Sequence, residues 1–150
     1  MRIVIPIAAL LALSLNVGFL RASSAIVPDQ QSIDALEARA NQAQPREQCF
    51  LYAELVQQMT ELSIRQYAAG DVDHATGLLK RIQRITQRIH LSLSDHDKRL
   101  KNAQILLRRT AFRLNEMLQS SSLEDRPLVQ QTLAQVTDVK NAAMMQVFQK

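Results

Sequence analysis

Apolar residues return every three or four positions through most of the chain, and no stretch sustains the two-residue alternation of a strand. The first such segment, about Asp29 to Ala43, puts Ile33, Leu36 and Ala40 on one side. Pro45 then restarts the chain as the first residue of a second helix, where a missing N–H costs nothing. That helix runs to about Ala69, with Tyr52, Leu55, Val56, Met59 and Leu62 at helical spacing. Gly70 closes it and Asp71 caps the next. The third helix, about Val72 to Leu93, is the most clearly two-sided. Ala75, Leu78, Leu79, Ile82, Ile85, Ile89 and Leu93 share one face, and Lys80, Arg81, Arg84 and Arg88 share the other.

A fourth helix, about Asp95 to Gln119, turns Leu100, Ala103, Leu107, Ala111, Leu114 and Leu118 inward. "SSSLED" breaks it, and Pro127 belongs in the first turn of a fifth helix, since deeper in it would clash with the preceding turn. Val129, Leu133, Val136, Ala143 and Val147 form that helix's inner face, and Met117, Met144 and Met145 are read as core. Long helices on short connections prefer antiparallel neighbours. The expectation is therefore all-α: an antiparallel four-helix bundle over 45–150, preceded by a short helix and linker over 26–44.

Ahead of these lies "MRIVIPIAALLALSLNVGFLRASSA". One Arg, an apolar run from Ile3 to Leu20, and Ser23 and Ala25 at the −3 and −1 positions form the order of a secretory signal peptide, which assigns 1–25 to a cleaved leader. The alternative is an N-terminal membrane anchor, weakened by Pro6, Ser14, Asn16 and Gly18 within the run. Export predicts a periplasmic or extracellular protein. Cys49, the single cysteine, rules out an internal disulfide and reads as a small core hydrophobe within "CFLYAELV".

"AAGDVDHATGLLKRI", Ala68 to Ile82, resembles the turn and second helix of a tetratricopeptide repeat, with Gly70-Asp71, Ala75 and Leu79 at matching places. That family repeats about every 34 residues. No second copy follows here, and a single long helical hairpin accounts for the same residues, so peptide binding is not carried over.

Catalytic patterns are absent from the sequence. "LSLSDHDKRLK", residues 91–101, places Asp95, His96 and Asp97 in a row near His90, which suggests a metal site. Ser94 followed by acidic residues before Leu100 is equally the pattern of a helix cap, and the cap is the preferred reading. No His pair has i, i+4 spacing, and no CxxC, HExxH, CxxCH or glycine-rich phosphate loop occurs. The sequence predicts no metal, cofactor or catalytic residue.

Charge then decides the functional expectation. The formal charge is +4, and removal of Arg2 and Arg21 with the leader leaves +2. Residues 80–113 contain ten Lys or Arg against Asp95 and Asp97, whereas the first two helices lean acidic through Asp29, Asp34, Glu37, Glu47, Glu54 and Glu61. On the fourth helix, Ile105 and Phe112 lie seven residues apart, roughly 120° from the main apolar face, among Lys98, Lys101, Arg108 and Arg109. An apolar spot in a basic frame fits an interface. It also fits a groove for the short first helix, and this second reading is the one preferred.

Arg81, Arg84, Arg88, Lys101, Ile105, Arg108, Arg109 and Phe112 are the candidate interaction surface, for a protein partner or an anionic envelope component such as a membrane surface. Nucleic acid is disfavoured by export and by the scarcity of aromatic residues. These readings add up to a non-catalytic interaction or structural protein of the cell envelope. The alternative is a small-ligand or metal-binding bundle with an activity that the sequence does not display.

Overall fold

The computed structural model describes residues 27–93 and 99–149. It is all-helical: α1 (Gln30–Gln42), α2 (Pro45–Ala68), α3 (Val72–Ser92), α4 (Leu100–Ser120) and α5 (Arg126–Phe148). The proposed leader, 1–25, and the Ser94/Asp95/His96/Asp97 segment both lie outside the described residues.

Each helix boundary has a local cause. Asp29 caps α1 by accepting from the Ser32 N–H at 2.7 Å, and the Ser32 hydroxyl oxygen accepts from the Asp29 N–H at 3.0 Å, a reciprocal box that satisfies two end donors. Pro45 occupies the first turn of α2. Gly70 takes a left-handed φ of +84° after α2, and Asp71 caps α3 through the His74 N–H. Pro127 sits in the first turn of α5, as its ring requires. α4 is described from Leu100, with Arg99 at its N-cap and no side-chain cap bond, and the expected Ser94 cap lies outside the described residues.

The inner faces follow the apolar periodicity. Ile33, Leu55, Met59, Leu79, Ile82, Ile89, Leu107, Leu114, Val129 and Val136 are among the largest fully buried side chains, and one apolar cluster joins all five helices. α2 is the central element. Cys49 to Ala53, Leu55, Val56, Met59, Thr60, Leu62 and Ser63 are all buried, because α1, α3 and α4 each pack against it. Thr60, Thr86, Thr110 and Thr132 place one buried hydroxyl in each of α2 to α5. Each donates to the carbonyl four residues earlier at 2.7–2.9 Å, so none is left unsatisfied.

The neighbour relations are α2 with α3, α3 with α5, α5 with α4, and α4 with α2; among the described residues α3 and α4 do not touch. Cross-helix pairs set the directions. Phe50 meets Arg99, Glu61 meets Arg113, and Tyr67 meets Ser122, so residue numbers rise together along α2 and α4 and these two neighbours run the same way. Gln83 with Thr132, and Thr86 to Leu91 alongside Gln135 to Val139, show the same for α3 and α5. The expectation that neighbours are antiparallel therefore does not extend to these two pairs.

Two further expectations are corrected. Met144 and Met145 are exposed, with Phe148 beyond them, and only Met117 is core. The buried side of α5 is Val129, Thr132, Val136, Val139 and Ala143, and Met144 and Met145 lie roughly 100° and 200° around the helix from Ala143. On α4 the fully buried set includes Thr110 and Met117, while Ala111 and Leu118 pack at its margin.

Candidate interaction surface

The eight candidate residues do not form one surface. Arg81, Arg84 and Arg88 belong to α3 and the other five to α4, helices that are not neighbours. Arg81 is engaged by α1: its guanidinium donates to Asp34 at 2.8 Å and also pairs with Glu37. These two carboxylates hold its proton still more firmly than usual, against the opposing effect of burial. Arg88 donates to the Asn41 side chain of α1 at 2.9 Å. Half of the α3 basic face therefore serves to seat α1, and exposed Arg84 and Lys80 are what it leaves for solvent.

The same contacts decide where α1 goes. It packs on α2 and is tied to α3 through Arg81 and Arg88; Tyr52 of α2 donates at 3.0 Å to the same Asn41 oxygen that Arg88 holds, and Arg65 donates to the Pro28 carbonyl ahead of the helix. It makes no contact with α4. The expectation that α1 covers Ile105 and Phe112 is overturned: its acidic residues found their cations on α3 instead. Ile105 is 41 % exposed and Phe112 62 % exposed.

On α4 the outer stripe is continuous. Lys101, Ile105, Arg108, Arg109 and Phe112 are all exposed, on the side away from buried Ala103, Leu107 and Leu114. No carboxylate of the described residues pairs with Lys101, Arg108 or Arg109. Arg113, one position beyond Phe112, behaves differently. It turns toward α2, donates to Glu61 at 2.9 and 3.1 Å and also pairs with Glu116, and these acceptors raise its pKa further above the usual arginine range. The α4 stripe is thus an apolar pair in a frame of cations that no carboxylate of the described residues compensates.

Elsewhere, α1 and α2 form a trough. Ala35, Leu36 and Ala38 supply one wall and floor, and Glu47, Leu51, Glu54 and Glu61 the other, with Arg39 between them and Arg99 at one end. Sequence reasoning missed this trough, although Glu47, Glu54 and Glu61 stand seven residues apart and signal one helix face. A second groove lies between α3 and α5, lined by Thr86, His90, Leu91, Gln135 and Asp138.

Cys49 is fully buried, and His74 is exposed at the α3 cap, where its Nδ1 lies 2.7 Å from Asp71. No cluster of three or more metal-ligating side chains occurs among the described residues. No described helix is long and apolar enough to cross a membrane. No family model matches the chain, and neither a curated protein nor a solved structure does.

Proposed function

We propose that this is an exported, non-catalytic interaction protein of the cell envelope, which docks an anionic partner on the outer face of α4. In this reading its four long helices form two antiparallel hairpins, α2–α3 and α4–α5, set side by side with α1 laid on the first. The observation that carries the reading is Phe112. Phe112 and Ile105 form an exposed apolar pair rimmed by two guanidinium groups that have no carboxylate partner among the described residues, and an apolar spot in a polar rim is what interaction sites present. Arginine and aromatic side chains are also the residue types that dominate interface energetics.

The test is co-sedimentation with phospholipid vesicles and with beads carrying an acidic polymer. Anionic vesicles or beads should retain the protein and neutral ones should not, and retention should fall as salt rises, because exposed charges are screened within about 8 Å at physiological ionic strength. Arg108→Glu with Phe112→Ala should abolish retention while the helical spectrum is unchanged. Equal retention on neutral supports would defeat the reading.

The α3–α5 groove supports a second reading, a small-ligand bundle. His90, Gln135 and Asp138 place an imidazole, an amide and a carboxylate on one partly apolar cleft. Native mass spectrometry of freshly isolated protein showing a small molecule, lost in Asp138→Ala, would favour it.

A further inference from the structure

We infer that the anionic surface met by α4 is the α1–α2 trough of a second copy of this chain, so that the protein associates head to tail. This rests on the reading of the α4 outer face as a docking surface, and it names the partner. The two surfaces differ in shape in the right sense: the α4 stripe is the convex side of a helix, and the trough is a concave channel running along α2 between α1 and the start of α4.

Their charges are complementary. Glu47 and Glu54 have no ion-pair partner among the described residues, whereas Glu61 is already held by Arg113. Lys101 and Arg108 likewise have no carboxylate partner among the described residues. The spacing matches as well. Glu47 and Glu54 are seven residues apart on α2, and Lys101 and Arg108 are seven apart on α4, roughly 10 Å along either axis. A helix lying along the trough can therefore place both cations on both carboxylates at once. Ile105 and Phe112 share that seven-residue step and would then meet the apolar wall made by Ala35, Leu36 and Ala38. Arg39 and Arg99 are opposing cations in the trough wall, and the charge of each would have to sit beside the incoming helix.

Packing α4 on a second α4 is the isologous alternative, and it would set three cations against three more. The trough offers carboxylates instead. Because donor face and acceptor trough lie on different parts of the molecule, the contact is heterologous: each copy that uses its α4 face still presents an open trough to the next.

That asymmetry supplies the experiment. Sedimentation velocity of the purified protein should show an average mass that climbs with concentration beyond two copies, and the climb should weaken as salt is added. Arg108→Glu/Phe112→Ala removes the donor face, and Glu47→Lys/Glu54→Lys removes the trough; none of the four positions has an ion-pair partner among the described residues, and circular dichroism checks that each variant remains helical. Each variant alone should stay a single copy, its association weakened by about tenfold or more per lost charge pair. An equimolar mixture should form a complex of two copies and no larger, since each variant contributes the surface the other lacks.

A wild type that stays a single copy while still binding anionic vesicles through Phe112 would overturn the second-copy assignment and leave the docking face in place. A wild type that neither associates nor binds anionic surfaces would remove both. Association of the trough variant by itself would point to the isologous α4 pair and equally overturn the inference.

Discussion

The guanidinium of Arg113 on α4 grips the carboxylate of Glu61 on α2 with two hydrogen bonds, 2.9 Å from Nε and 3.1 Å from Nη2. The side chains are about a third exposed, so the pair is partly screened, but its two-point geometry exceeds that of an ordinary surface pair. It lies where two parallel helices meet and fixes their register. Arg113→Ala should lower stability by about 1 kcal/mol in chemical denaturation. Arg113→Lys should recover only part of this, since an ammonium cannot reproduce the fork.

Gly70 carries the α2–α3 turn at φ +84°, and nothing within 4 Å would obstruct a Cβ there. The cost of a side chain is therefore backbone strain and not collision. Gly70→Ala should destabilise by about 1–2 kcal/mol, and Gly70→Asn by less, because Asn tolerates the left-handed region better than Ala. Equal losses for the two would mean that side-chain packing at the turn, and not φ, sets the cost.

How much of this was legible in the sequence follows from what a pattern can encode. Ile82, Leu107 and Val136 lie on buried faces because a helix's own period selects one side, and that is a property of each segment alone. Which helix meets which is a property of pairs. Nothing in the spacing of α1 says that Asp34 and Glu37 pair with Arg81 of α3 rather than with the cations around Phe112. Glu61 and Arg113 likewise read as two ordinary surface charges until α2 and α4 are known to be parallel neighbours. Met144 and Met145 read as core by residue type, yet they lie roughly 100° and 200° around α5 from buried Ala143 and are exposed. The α4 stripe was readable as residues, and its exposure was not.

His74 and Asp71 titrate as a pair at the α3 cap. The hydrogen bond and charge of Asp71 raise the His74 pKa above its usual 6.5, and His74 lowers that of Asp71 below its usual 3.8. A raised His pKa contributes stability that is full below about pH 6.5 and is lost as pH rises through the higher folded value. A lowered Asp pKa contributes stability present above about pH 3.8 and lost as pH falls through the lower folded value. The pair should therefore support the cap best between those two ordinary values. NMR titration should place His74 above 6.5 in the native protein and return it toward 6.5 in Asp71→Asn.

Phe112 and Leu114 stand two residues apart on α4 and should respond oppositely to truncation. Leu114 is fully buried against the apolar cluster, so Leu114→Ala removes packed volume and should cost about 2–5 kcal/mol, as core leucines do. Phe112 is 62 % exposed, and α1, the helix best suited to cover it, lies on α2 and α3 instead. Phe112→Ala should accordingly leave stability within about 0.5 kcal/mol of wild type, as for a surface position. Denaturant midpoints with unchanged slopes would measure both, run at low protein concentration so that association contributes nothing to the wild-type value. A loss of several kcal/mol in Phe112→Ala would mean that the ring is covered within a single copy, and the α4 stripe would then have no free apolar pair with which to dock.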